Sequence, residues 1–500
     1  MNTEFDFADL LATPEVEQTN GHVSNDSIPG SGQLPEIDDV LKEKWRAYLR
    51  KPLAYQGRVL DWAYPLDRIA LFMEMRLGKT LVAIRWAESK PGAKKKLVIA
   101  PLSVIKTWEQ ELEKEGLVGT QITRANMMLP MFTDGWYLTN YEAIRSLELF
   151  TKPELRIKWD LVICDESTKI RKTDAKRTQL TIENFENTPY KAILSGFPAP
   201  ESMLDYYTQY KFLNGQFMDC YTWHDFEYRY GELKNYVVAS KRNAILNYVK
   251  ENSYTLKRYE CGVGSKKEYT NRYVQFDEKS NGREVYDKFQ MQWYYKGGGD
   301  SEYSTNFILA AQRILQQIAS GTVRHPEVDF YSEHKLKELV SLLNGELHGE
   351  KVVIWCAHSG EIKMTMRKLG DKARYIAGDV NQVQRDRNLA KFQQVDSDVR
   401  YLVCQLGCAD MGLDMSAADT AIYFSNSMQV EHRYQSEDRI VHPKKQVPLL
   451  YIDLLTEGTI DEDIRRALDD KPKRTGLYQE KIYTSFLERM AKKYGILPND

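Results

Sequence analysis

Short, almost purely apolar runs recur along this chain, each followed by a polar or helical stretch, and that alternation limits the fold more than any other feature. Residues 96–104 (KLVIAPLSV), 135–141 (GWYLTNY), 159–167 (WDLVICDES) and 190–196 (YKAILSG) form a first series. Residues 351–360 (KVVIWCAHSG), 373–379 (ARYIAGD), 400–407 (RYLVCQLG), 419–425 (DTAIYFS) and 447–455 (VPLLYIDLL) form a second. A strand with water on one face alternates apolar and polar residues, whereas a strand covered on both faces reads as an unbroken apolar run. Both series therefore predict parallel sheets sandwiched by helices, an α/β architecture. Between about 203 and 330 the texture changes to a dense mixture of aromatic and charged residues (YYTQYKFLNGQFMDCYTWHDFEYRYG), which reads as a mainly helical insertion.

Five hundred residues allow about three domains at ~150 residues each. The expected division is a flexible polar tail over 1–38, a first α/β lobe over 39–202, helical protrusions and a linker over 203–330, a second lobe over 331–470, and a basic helical brace over 471–500. The tail carries NGHVSNDSIPGSG and has too little apolar surface to fold alone. Net charge is −2, so a polyanion would have to meet a local basic surface. The six cysteines form no CxxC pair, and Cys164, Cys356 and Cys404 fall inside apolar strands, which reads as reduced core thiols. No zinc spacing is present. MNTEFDFADL lacks the basic and apolar regions of a signal peptide, and no apolar run approaches ~18 residues, so a cytoplasmic protein without a membrane span is expected.

Four segments carry chemistry. MEMRLGKT (73–80) ends in Gly-Lys-Thr ahead of a helical pattern, the ending of a Walker A loop. Gly78 lets main-chain amides approach phosphates, Lys79 would reach the β- and γ-phosphates, and the Thr80 hydroxyl could ligate Mg²⁺. Met73 stands where the first glycine of that pattern belongs. LVICDEST (161–168) runs four apolar residues into Asp165 and Glu166, the Walker B arrangement: Asp165 for the Mg²⁺ shell, Glu166 to orient and deprotonate the attacking water. LSGFPAP (194–200) is a strand running into a Gly/Pro turn. The stretch 412–446 contains Gln435, Asp438 and Arg439, and a cation from a second lobe inserted at the γ-phosphate would couple closure to hydrolysis. Taken alone, Arg439 reads as a solvated helix-face arginine paired with Glu437 or Asp438.

These segments and their order resemble the Swi/Snf-type DNA translocases of helicase superfamily two, over about residues 50–470. LAYQGRVLDW is similar to the upstream glutamine motif, LFMEMRLGKT to motif I, VIAPLSVIKTWEQEL to Ia, LTNYEAI to Ib, VICDESTKIRK to II and LSGFPAP to III. KVVIWCAHS resembles motif IV, MGLDMSAADTAIYFS motif V and QSEDRIVHPKKQ motif VI. YIDLLTEGTIDEDI looks like the segment that follows motif VI. The resemblance implies two RecA-like parallel-sheet lobes with mainly helical insertions, and DNA-stimulated ATP hydrolysis driving movement along duplex or branched DNA. It implies a nucleotide site built from Gln56 at the adenine, the loop residues Glu74, Met75, Arg76, Leu77, Gly78, Lys79, Thr80 and Leu81, and Gly412 and Asp414. ATP and Mg²⁺ are the implied cofactors, with Lys79, Asp165, Glu166, Gln435 and Arg439 in the chemistry. Ser103, Lys106, Trp108, Asn140, Tyr141, His358 and Gln405 are the implied DNA contacts, directed at the backbone and so without sequence specificity.

Four departures from the family stand out. Arg76 occupies a usual glycine of motif I, and Thr168 replaces the histidine of the DEAH-like box. Asp410 and Asp414 alter motif V, and His442 takes the place of the second motif VI arginine, leaving Arg439 alone or assisted by a lysine such as Lys444. Compactness favours a monomer that remodels forks, junctions or displaced strands, in a bacterium or an infected host cell. Two other readings stay open: an RNA-directed helicase, and a nucleotide-switched DNA-binding scaffold with little turnover.

Overall fold

The computed structural model describes residues 50–126, 133–200, 202–231, 239–297, 305–326, 328–411, 413–442, 445, 447–469, 482 and 485. The expected tail, Gly412, Lys444 and the proposed brace, apart from Ile482 and Ser485, lie outside the described residues.

A seven-stranded sheet is built from β1 (Arg68–Met73), β2 (Lys95–Ala100), β3 (Gly119–Gln121), β4 (Gly135–Asn140), β5 (Leu161–Asp165), β6 (Tyr190–Leu194) and β7 (Tyr254–Leu256), in the order β3-β4-β2-β5-β6-β1-β7. Every neighbouring pair is parallel. After β8 (Lys267–Val274) and the antiparallel hairpin of β9 (Thr322–His325) and β10 (Val328–Tyr331), a second sheet takes β11 (Val352–Cys356), β12 (Ala373–Ile376), β13 (Tyr401–Gln405), β14 (Thr420–Tyr423) and β15 (Leu449–Thr456). Its order is β12-β13-β11-β14-β15-β8, again wholly parallel.

The period of two explains why the interior strands are apolar throughout. Along β5, Val162 and Cys164 enter the core on one face of the sheet while Leu161 and Ile163 enter the core on the other. Along β11, Val352, Ile354 and Cys356 face one core, and Val353 and Trp355 the opposite one. Both faces are helix-covered, so every position is a core position. All six cysteines are free thiols, and all but Cys261 are buried. Among the described residues no helix is long and apolar enough to cross a membrane.

The stretch 203–330 is mainly helical, as its composition suggests, but it is not helical alone. It holds the helices Tyr206–Asn214, Trp223–Tyr230, Ala239–Glu251, Gly282–Gly297 and Thr305–Ala319. It also supplies β7 to the first sheet and β8 to the second. Both are edge strands. No residue of β8 (KEYTNRYV) is fully buried, so it lacks the apolar signature of a covered strand.

The second lobe is tied to the segment after β15 by an ion pair in a dry environment. Lys335, on the helix His334–Asn344, lies 2.6 Å from Asp461 and donates to Phe424 O at 2.9 Å; both charged side chains are at most 2% exposed. Removing one partner of such a pair strands the other charge, a loss of ~3–5 kcal/mol. Lys335→Ala is therefore expected to lower the urea midpoint of unfolding by an amount equivalent to ~3–5 kcal/mol. A loss under ~1 kcal/mol would show that water reaches Asp461.

Candidate nucleotide site

The C-terminal ends of parallel strands all open on the same edge of a sheet, and there the motif residues converge. β1 ends at Met73, the loop Glu74–Gly78 follows, and the helix Lys79–Glu88 begins. Gly78 caps that helix at φ 77°, and a Cβ there would lie 2.2 Å from Gln56 Nε2, so the loop requires glycine. Lys79 Nζ donates to Met73 O at 2.8 Å and Glu74 O at 3.4 Å, closing the loop around the ammonium. Gln56 is buried, donating to Leu77 O at 3.1 Å and accepting from Leu53 N at 2.9 Å. Leu77 and Leu81 are buried, and Thr80 is half-exposed. Arg76 adopts φ 67°, the left-handed region that a family glycine would enter freely, and pairs across the lobes with Asp414 at 3.2 Å.

Asp165 ends β5 nearly out of water. Trp108 Nε1 donates to Asp165 Oδ2 at 2.8 Å, and Glu166 N donates to Oδ1 at 2.9 Å. Tyr141 donates its hydroxyl to Asp165 O at 2.7 Å. Burial pushes the Asp165 carboxyl up, while Trp108, Lys79 and the Glu166 amide hold it back. Glu166 sits at φ 48°, a strained conformation for a non-glycine residue. Burial raises its carboxyl to about 7; Asp165 and Glu431 push the same way, and Lys79 and Arg439 oppose them. The LSGFPAP turn lies over the loop: a Cβ on Gly196 would be 3.6 Å from Lys79 Nζ.

The second lobe contributes the helix Val430–Glu437 and the residues just after it. Arg439 is 6% exposed, its Nη2 lies 3.8 Å from Met75 Sδ, and its charge acts on Glu166. It is not the solvated arginine its sequence neighbours suggest. Glu437 is occupied by Arg433 and Lys267, and Asp438 by Arg258 and Lys267. Burial works to raise the Glu437 carboxyl, but Lys267 and Arg433 outweigh it and draw it down to about 2. Gln435 is buried and donates to Glu431 Oε1 at 3.0 Å, while Arg171 of the first lobe lies 3.3 Å from Glu431 Oε2. His442 is half-exposed, and Lys445 is held by Ala418 O and Asp419.

Two expected DNA contacts are corrected. Trp108 and Tyr141 are buried, and their polar atoms serve Asp165, so neither presents a group to a DNA backbone. The others lie at or just beyond strand C-terminal ends. Ser103 is half-exposed, and Lys106 is exposed, 3.9 Å from Asp386 of the second lobe. Asn140 caps the helix Tyr141–Ser146, Gln405 accepts from Gly378 N at 3.1 Å, and His358 Nε2 is 3.0 Å from Gln316 Oε1. Burial lowers the His358 pKa. Nothing local in the sequence marks Arg258, Glu431 or Gln209, all of which the structure brings to the motif residues. Ser167 donates to Gln209, and Gln209 donates to Pro198 O in the LSGFPAP turn.

A model of the SNF2-related domain matches residues 55–320, and one of the helicase conserved C-terminal domain matches 334–444. The chain belongs to the SNF2-related domain family. DNA-dependent ATP hydrolysis is the activity of that family. The chain is 23% identical to the Drosophila melanogaster ATP-dependent helicase brm over 85% of its own length and 29% of brm. It is 28% identical to the Drosophila grimshawi DNA repair and recombination protein RAD54-like over 42% of its length and 29% of that protein. The chain thus spans under a third of each of these relatives. A solved Sulfolobus solfataricus SWI2/SNF2 ATPase core in complex with dsDNA aligns with 89% of this chain and 97% of that chain, at 19% identity and a TM-score of 0.41.

A general base must be ionised to act, so a carboxyl raised to about 7 predicts kcat/KM for ATP that climbs with pH and levels above about 7. Asp165 must be ionised as well, and Trp108→Phe removes an N–H that favours its ionised form, so full ionisation of the pair, and with it the limb, is expected at higher pH than in the parent. Overlapping pH profiles for the two proteins would exclude Trp108 from this role.

Proposed function

We propose that this SNF2-related protein is an ATP-driven translocase on double-stranded DNA that remodels or branch-migrates DNA structures. The observation that carries the reading is the convergence of Lys79, Asp165 and Glu166 from the first lobe with Arg439 from the second, which reaches the phosphate loop at Met75. In that arrangement Lys79 holds the β- and γ-phosphates, and Glu166 orients the attacking water and accepts its proton. Arg439 meets the charge that develops on the transferred group. Because Arg439 belongs to the other lobe, hydrolysis requires closure, and release permits opening.

The donors fit Mg²⁺. Mg²⁺ takes one or two protein oxygens and completes its shell with water and phosphate, and Thr80 and Asp165 offer a hydroxyl and a carboxylate of that kind. When bound, the ion neutralises charge on the phosphates. Duplex DNA as the track is supported by family membership and by Ser103, Lys106, Asn140, His358 and Gln405 at the strand ends of both lobes. A role in repair or recombination is supported by the relative from Drosophila grimshawi that bears that description. The free thiols support a reducing, cytoplasmic setting.

ATPase rates with forked, Holliday-type, blunt duplex and single-stranded DNA, and with RNA, test the substrate. Duplex-containing DNA is expected to stimulate most; equal stimulation by RNA would overturn that choice. In a triplex-displacement assay, Glu166→Gln is expected to bind ATP and DNA yet displace nothing. Indistinguishable displacement by parent and variant would end the motor reading.

A further inference from the structure

Arg258 belongs to none of the motif segments. It opens the helical turn Arg258–Cys261, between the last strand of the first sheet (β7) and the edge strand of the second (β8), on the connection between the lobes. Its main-chain N–H donates to Glu74 Oε2 at 3.0 Å, and its Nε lies 3.3 Å from the same oxygen. At the far side of the guanidinium, Nη2 lies 2.6 Å from Asp438 Oδ1. Glu74 is the first residue of the phosphate loop, and Asp438 directly precedes Arg439. The circuit closes on the next residues along, because Arg439 Nη2 is 3.8 Å from Met75 Sδ.

Relative strengths show which link holds the arrangement. A thioether is a weak acceptor, so the Met75 contact would not by itself fix Arg439 at the loop. A charge-assisted bond of 2.6 Å between side chains 14% and 11% exposed is much stronger. Nor is Arg258 needed only to neutralise Asp438. Lys267 of β8 already lies 3.2 Å from the same carboxylate oxygen, within the second lobe. What Arg258 adds is the connection to Glu74. A planar fork can serve two carboxylates at once, which an ammonium on a flexible stem does poorly.

We infer that Arg258 is a positioning residue for ATP hydrolysis: it ties the phosphate loop, through Glu74, to the segment carrying Arg439, through Asp438. Movement of the loop and placement of Arg439 at the nucleotide then become one event. The inference rests on the role proposed above for Arg439.

The test uses the full chain with saturating duplex DNA. It measures kcat and KM for ATP, affinity for a fluorescent ATP analogue, and the melting temperature of parent, Arg258→Met, Arg258→Lys, Glu74→Gln and the Arg258→Met/Glu74→Gln double variant. Misplacing a catalytic group by about 1 Å can cost ~100-fold, so Arg258→Met is expected to lose ~10–100-fold in kcat. KM and analogue affinity should stay within about threefold of the parent's. Arg258→Lys should fall between parent and Arg258→Met. Glu74→Gln should lose kcat similarly, with the double variant no slower than the slower single one, because both break the same bridge. Arg258→Met with kcat within about twofold of the parent's, or a double variant showing the product of two independent losses, would overturn the bridge. So would a rise in KM with kcat unchanged. A variant whose melting temperature falls while kcat per folded molecule is kept would reduce Arg258 to a structural ion pair, also against the inference. Arg439→Ala is assayed alongside. A parent-like rate there refutes the finger assignment itself; a loss there with a normal Arg258→Met rate refutes the bridge alone.

Discussion

Asp165 carries its charge at the end of a buried strand, where bulk water no longer solvates it. Stranding a carboxylate in this way costs several kcal/mol unless donors replace the lost water. The replacements are the Trp108 N–H, the Glu166 amide and the field of Lys79. Each donor constrains a different part of the first lobe. The helix Leu102–Lys114 must seat Trp108 inward from the end of β2. The chain must bend sharply at Glu166 for its amide to turn back, which gives the strained φ there. Lys79 must lie at the start of its helix, and only a glycine at position 78 lets Gln56 pack beneath the turn. The solvation of one carboxylate thus accounts for the placement of three elements that are far apart in sequence.

Contacts between the lobes fall into two classes with different weights. Lys106 with Asp386 and Arg76 with Asp414 join partly exposed side chains, and such pairs contribute ~0–1 kcal/mol. The left-handed conformation of Arg76 costs ~1–2 kcal/mol, so its ion pair does not by itself offset the strain. Pairs of this kind can break and reform as a cleft opens. The link from Asp438 to Arg258, on the connection between the lobes, is of the other class: it joins side chains 14% and 11% exposed, and Lys267 of β8 holds the same carboxylate from within the second lobe. A molecule that opens at the weak contacts and keeps the strong one moves about its connection, with Arg439 carried next to the fixed part.

What the sequence made legible follows from how each feature is encoded. Interior parallel strands announce themselves because both faces need apolar residues, and all nine runs read this way are strands. β1 is an interior apolar strand outside those nine runs, whereas β3, β7 and β8 carry no such run because these edge strands are short or polar. Lys79, Asp165 and Glu166 could be placed because a loop-helix junction and the end of a strand set their positions by local spacing alone. Trp108 and Tyr141 are ambiguous in sequence because an aromatic ring with a polar tip has the same appearance whether it faces a nucleic acid or caps a buried carboxylate. Arg258 could not be found at all: its partners lie 184 residues before it and 180 after, and nothing local marks it.

The substitution of threonine at position 168 is clarified by its neighbours. Thr168 is buried and its hydroxyl has no hydrogen-bond partner among the described residues, so it relays nothing by hydrogen bonding. Ser167 beside it does. Its hydroxyl donates to Gln209 at 2.6 Å, and Gln209 in turn donates to Pro198 O at 2.7 Å. Pro198 follows Phe197, whose ring centroid is 5.0 Å from that of Tyr434 on the second-lobe helix Val430–Glu437. A chain of contacts therefore runs from Ser167, next to Glu166, through one side-chain amide, to the second-lobe helix that carries Gln435 and leads to Arg439. Losing the histidine at position 168 removes one way of reporting the state of the nucleotide, and this second path does not pass through it.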